Sequence, residues 1–161
     1  MEKTQKPLKR SEQLKSLSRE HHSGLLFSWK IREGVRLGVS TERLKDYLNY
    51  FMNEHLLDHF EKEETLLFNK VNEQVCLQAI KEHDVLKQQV HTINVSPVID
   101  TKHFTDFIET LNEHIRFEER VVFPLLEEVL DIQTLNSIND ELESSGDVFK
   151  DEYTDEFWLR K

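Results

Sequence analysis

His59-Phe60-Glu61-Lys62-Glu63-Glu64-Thr65-Leu66-Leu67-Phe68 is answered about fifty-five residues later by His114-Ile115-Arg116-Phe117-Glu118-Glu119-Arg120-Val121-Val122-Phe123. Each stretch lies inside an unbroken helical pattern. A His and a Glu four apart on a helix share one face with neighbouring Cβ atoms, so an imidazole nitrogen and a carboxylate oxygen can converge on one point. Two such pairs facing each other could hold a metal centre.

Working outward from this repeat, the apolar positions follow the 3.6-residue period of helices. Leu14, Leu17, Leu25, Leu26, Trp29 and Ile31 predict a first helix from near Ser11 to about Arg36, with Gly34 and Gly38 loosening its end. Ser40-Thr41-Glu42 offers the next start. A second helix then runs from about 41 to 70 through Leu44, Tyr47, Leu48, Phe51, Leu56, Phe60 and Leu67. A third spans about 73 to 93 and stops at Asn94-Val95-Ser96-Pro97. A fourth spans about 101 to 130, with a kink predicted at Pro124. Residues 133 to 143 suggest a short fifth helix. Tyr153, Phe157 and Trp158 in the acidic tail are expected to dock on the rest, because such rings are unfavourable in water.

The expected fold is all-α: an up-down-up-down antiparallel four-helix bundle with a short C-terminal helical or irregular extension. Residues 1–10 read as a flexible N-terminal arm, 11–130 as the metal-binding bundle, and 131–161 as an extension packed on it. At 161 residues one core is expected. In such a bundle, residues equidistant from a connecting loop lie at one depth, since each residue advances about 1.5 Å. By that measure His22, the His59/Glu63 pair, His83 and the His114/Glu118 pair share a layer.

Four imidazoles and two carboxylates suit iron, manganese or zinc better than calcium or magnesium, and two carboxylates can bridge two metals. Alternatives exist within the set. Glu64 or Glu119 could replace Glu63 or Glu118, but only the four-residue spacing puts the carboxylate over its histidine. His22 is preferred to His21 because it precedes Leu25 and Leu26 by a turn. His55, four before His59, reads as a bundle-edge histidine, or as a further ligand or proton-handling neighbour. His91 and His103 read as surface residues. Trp29, Tyr47, Tyr50, Phe51, Phe60 and Phe117 either shield the centre or simply pack the core.

A net charge of −10 argues against nucleic-acid or anionic-membrane partners. No apolar run approaches the roughly 20 residues that span a bilayer, and the N-terminal residues lack a signal peptide's apolar segment. Cys76 is the single cysteine, which leaves no intrachain disulfide and no thiolate cage and fits a reducing, cytoplasmic setting.

Glu20-His21-His22 with the leucines that follow, His59-x-x-x-Glu63-Glu64, Glu82-His83 and His114-x-x-x-Glu118-Glu119 together resemble the hemerythrin family, in the broad sense of HHE cation-binding domains. The resemblance covers about residues 14 to 130. It implies a non-haem centre of two iron ions, with zinc or manganese as substitutes, bridged by two carboxylates and completed by histidines. It also implies a small diatomic ligand, dioxygen or nitric oxide. Oxygen-carrying members have a second histidine one turn after that of the third helix, where this chain has Lys87, and a last carboxylate at the position of Glu119. The chain is more similar to relatives with four histidines and two glutamates, which include proteins implicated in iron-centre repair and in iron or oxygen sensing. Lys87 is then expected near the centre as a hydrogen-bond donor to a bound oxygen ligand. Binding or sensing is the leading functional reading, with di-iron turnover and a metal-free interaction module as alternatives.

Overall fold

The computed structural model describes residues 10–145 and 149–159, so of the flexible arm expected at residues 1–10 all but Arg10 lies outside the described residues, and Arg10 is held in place by Glu127 and by the carbonyl of Glu119. All regular structure among them is helical. Helix α1 (Lys15–Arg36) follows a 3₁₀ turn at Glu12–Leu14 and ends in a Schellman arrangement. There Val39 N–H donates to Gly34 O at 2.9 Å and Gly38 N–H to Val35 O at 3.1 Å, with Gly38 at φ 72°. A side chain would resist that backbone angle.

The second long rod comprises α2 (Thr41–Phe51), α3 (Leu57–Lys62) and a closing 3₁₀ turn at Phe68–Lys70. Ser40 Oγ caps it by accepting from Arg43 N–H. Two wide π turns, Met52–Leu56 and Glu63–Leu67, interrupt the rod without breaking it. Helix α4 (Gln74–Val95) follows, then α5 (Thr101–Phe117) behind an Asp100/His103 capping box. A third π turn, Glu118–Val122, leads into α6 (Phe123–Val129), and α7 (Ile132–Ser144) starts at the Asp131 cap. Pro124 stands in the first turn of α6, where its missing N–H costs little. The interruption expected there begins six residues earlier, at Glu118, and its counterpart at Glu63 contains no proline.

The core divides in two. One apolar cluster gathers Phe27, Ile31, Tyr47, Phe51, Leu111 and Trp158, and the other gathers Leu17, Leu67, Cys76, Ala79, Val122 and Leu126. On every long rod the change from one cluster to the other falls at a buried His or Glu. His21 lies between Leu17 and Phe27, Glu63 between Phe60 and Leu67, His83 between Ala79 and Leu86, and Glu118 between Ile115 and Val122. A polar layer therefore runs through the interior, and burying it unpaired would be costly.

Candidate metal centre

His21, His59, His83, His114, Glu63 and Glu118 are all at most 4% exposed. Their donor atoms form two groups, each within a 4.8 Å span: His21, His59, Glu63 and Glu118 in one, and His83, His114, Glu63 and Glu118 in the other. Both carboxylates belong to both groups. Glu63 Oε2 lies 3.2 Å from His59 Nε2 and 3.4 Å from His21 Nε2, while its Oε1 lies 3.1 Å from His83 Nε2. Glu118 Oε1 lies 2.8 Å from His21 Nε2 and 3.3 Å from His114 Nε2, and its Oε2 is 3.4 Å from His83 Nε2.

Close approach does not mean satisfied bonding. His59 Nε2, His83 Nε2, His114 Nε2, both oxygens of Glu63 and Oε2 of Glu118 have no hydrogen-bond partner, although all are buried. Buried polar atoms are ordinarily paired, so six orphans converging on one layer call for a missing partner. Imidazole nitrogens and carboxylate oxygens in this mixture fit a transition-metal ion.

The far side of each ring is held by a carboxylate. His21 Nδ1 donates to Glu119 at 3.0 Å, His59 Nδ1 to Glu20 at 3.3 Å, His83 Nδ1 to Glu64 at 2.6 Å and His114 Nδ1 to Glu82 at 2.7 Å. An ionised carboxylate only accepts, so each Nδ1 carries a proton and each Nε2 faces inward, where it becomes a metal-binding lone pair once the ring is neutral; His21 Nε2 meanwhile donates to Glu118 Oε1 at 2.8 Å. Each holding carboxylate neighbours, in sequence, a central residue of an adjoining rod. Glu20 precedes His21, Glu64 follows Glu63, Glu82 precedes His83, and Glu119 follows Glu118.

Local backbone supports the arrangement. The π turns at Glu63 and Glu118 each close with a bond from the Phe at the end of the repeat, Phe68 N–H or Phe123 N–H, to the carbonyl of the central glutamate. Such wide turns concentrate at functional sites. Phe60 stacks on His83 at 4.0 Å between ring centroids, and Phe123 stacks on His21 at 5.3 Å. These rings cover the layer from either apolar cluster.

Burial alone would pull the imidazoles' pKa values down, but the carboxylates outweigh it. Glu118, Glu119 and Glu63 raise His21 well above its ordinary value. Glu63 and Glu20 carry His59 to about 9, Glu118 and Glu63 carry His83 to about 10, and Glu118 and Glu82 raise His114. Burial would raise Glu63, yet the surrounding histidines hold it well below the usual carboxylate range. The layer is built to hold positive charge.

A family model, the hemerythrin HHE cation binding domain, matches residues 12–126. The chain belongs to this family. No curated protein and no solved structure matches it. In this cation-binding domain the two His/Glu groups, found among the described residues, could hold metal.

Several sequence expectations move. His22 is exposed and His21 faces the layer, because Leu25 and Leu26, which favoured His22, are themselves 44% exposed. Glu64 and Glu119 do not enter the centre but hold histidines from outside. Lys87 is exposed in a surface depression with Val90, His91 and Asn94, and Leu86 takes the interior position. His55 is buried outside both groups, stacked on Phe149 at 4.6 Å, and burial pushes its pKa down to about 4. His91 is exposed, while half-buried His103 serves the α5 cap. Among the expected shielding rings, Phe60 lies against the layer, whereas Trp29 is 48% exposed and Tyr47 and Phe51 stack on Phe27 within the same apolar cluster as Phe60.

Proposed function

We propose that the chain is a non-haem di-iron binding protein that binds or senses dioxygen, nitric oxide or iron itself. His21, His59, Glu63, His83, His114 and Glu118 are the metal ligands in this reading. The observation that carries it is the pair of overlapping four-residue groups sharing two fully buried carboxylates, with six orphaned atoms between them. Two histidines serve each metal position and both glutamates serve both, which leaves coordination positions for a small ligand. Iron held there would supply reversible binding of, or one-electron chemistry with, dioxygen or nitric oxide.

The chain's own residues do the rest. Glu20, Glu64, Glu82 and Glu119 fix the tautomer and aim of the imidazoles. Phe60, Phe68 and Phe123 exclude bulk water. The order of contacts along the α5–α6 rod supports the up-down-up-down arrangement: Arg10, ahead of α1, meets Glu127, and within α1 Ser18 meets Glu119 and Gly24 lies against Ile115. In the same reading the bundle occupies 11–130, with 131–161 as an extension and residues 1–10 as an arm, in a cytoplasmic protein.

Metal content per chain tests the proposal, on protein produced with ample iron and kept from chelators. Near two irons per chain are expected, together with a visible-spectrum change on adding nitric oxide to the reduced protein. His59→Ala and Glu63→Ala should lose the iron while keeping their far-ultraviolet circular dichroism. Unchanged iron in both variants would sink the ligand assignment, and an iron-free wild type would sink the function.

A further inference from the structure

The two groups share their carboxylates but differ in what stands behind their histidines. Behind His83 and His114, Glu64 and Glu82 accept short bonds of 2.6 and 2.7 Å. Neither carboxylate pairs with a Lys or Arg among the described residues; Glu82 accepts in addition only from the neutral amide of Gln78. Behind His21 and His59 the bonds are longer, 3.0 and 3.3 Å, and both carboxylates are shared with cations. Arg10 Nη2 stands 3.9 Å from Glu119 Oε1, and Lys62 Nζ stands 3.9 Å from Glu20 Oε2 and 3.0 Å from Asp58. Ser18 Oγ also donates to the Glu119 oxygen that receives His21.

A carboxylate behind a ligand imidazole makes the ring a better donor and adds negative charge that favours the bound ion. A nearby lysine or arginine, or a competing donor, takes part of that effect away. The His83/His114 side therefore offers the stronger field and the firmer hold. A second feature lies on the opposite side: a cavity of about 110 Å³ bounded by Arg19, Glu20, His55, Lys62 and Phe149. Its wall includes both the carboxylate that holds His59 and the lysine that weakens that hold.

We propose that the two metal positions are unequal by construction. The His83/His114 position fills first and retains its ion, and the His21/His59 position, backed by charge-compensated carboxylates beside the cavity, holds the exchangeable ion. This rests on the two-metal reading above and assigns Glu20, Glu64, Glu82, Glu119 and Lys62 as positioning residues rather than ligands.

The test is anaerobic titration of the metal-free full chain with ferrous ion against a competing chelator. Two stepwise constants alone decide nothing, since repulsion between the ions splits even identical sites. The variants decide. Glu82→Gln should weaken the first step, by up to the ~10–100-fold typical of lost outer partners, whereas Glu20→Gln should spare the first step and weaken the second. Lys62→Met should tighten the second step several-fold, an effect opposite to general structural damage. If Glu82→Gln and Glu20→Gln behave alike, or Lys62→Met loosens the second step, the inequality is overturned. A wild-type chain that takes up one ion or none overturns the two-metal reading as well.

Discussion

Each half of α1 carries a buried polar cluster, and the two are finished differently. Toward its start, His21 joins a layer in which six atoms of five other donor groups and carboxylates are left without partners. Toward its end, Lys30 joins a knot that closes on itself. Lys30 Nζ donates to Asp151 Oδ2 at 2.7 Å and sits 4.3 Å over the Trp158 ring, Tyr47 O–H donates to the same oxygen, and Tyr153 N–H donates to Oδ1. No atom of this knot is orphaned. Polar groups set into the interior thus serve two ends. A satisfied network fixes a packing arrangement, and an unsatisfied one keeps a place for something else.

The largest break in this comparison comes from metal itself. A ligand that binds only the folded chain adds about 4 kcal/mol at a thousandfold excess over its Kd. Urea unfolding with and without ferrous ion should show a gain of that order. The Asp151→Ala variant should show the same gain from a lower starting stability. If iron changes nothing in the wild type, the open layer is not a binding site; if Asp151→Ala loses the gain, the two clusters are not independent.

Breaking the closed knot should cost less. Asp151→Ala strands a partly buried lysine and a tyrosine hydroxyl, an expected loss of about 2–3 kcal/mol with metal content unchanged. The same knot sets a pH window. Burial would raise the Asp151 pKa, but Lys30 and Tyr47 hold it below its ordinary 3.8, so its contribution is present above that value and disappears as pH falls through the folded pKa. Burial, then the bond to Asp151, pushes the Tyr47 pKa far above 10, so its contribution is complete below pH 10 and is lost as pH rises beyond it. Emission from buried Trp158 should shift to the red at both extremes, and Tyr47→Phe should remove the alkaline limb while moving the acid limb to higher pH, because Asp151 loses one of the donors that hold its pKa down. An alkaline shift that survives Tyr47→Phe would place its origin elsewhere.

The same contrast explains what could be read in the chain. The His/Glu layer was legible because each histidine interrupts an apolar helical stripe at matched depth, and the 59–68 and 114–123 repeat doubles the signal. Adjacent His21 and His22 differ by about 100° around the axis, and choosing between them requires the buried face of α1. Nearby leucines pointed the wrong way because that helix exposes Leu25, Leu26 and Trp29. The roles of Glu20, Glu64, Glu82 and Glu119 depend on which rod adjoins which, as do those of Arg10 and Lys62. The π turns add a residue without changing side-chain chemistry, so no composition marks them. Docking of Phe157 and Trp158 followed from their apolar area, but Asp151 as the keystone joins residues more than a hundred positions apart.

The smallest effects should come from two glycines, one in each half of α1. A Cβ on Gly34 would stand 2.6 Å from Phe157 Cε1 and 2.7 Å from Leu44 Cδ2. A docked ring cannot yield without lifting the tail, so Gly34→Ala should cost about 1–2 kcal/mol despite the helix propensity gained. A Cβ on Gly24 would stand 2.9 Å from Ile115 Cδ1, the far end of a flexible side chain. There the roughly 1 kcal/mol gained by replacing glycine in a helix should nearly offset the crowding. Gly24 lies one turn from His21, and Ile115 adjoins His114, so this variant also probes how the centre is held. If Gly24→Ala leaves both stability and iron affinity near wild type, side-chain partners such as Glu119 and Glu82 set the ligand positions. If it spares stability but weakens iron binding tenfold, the backbone approach of α1 to α5 sets them, and the ring of outer carboxylates follows that spacing.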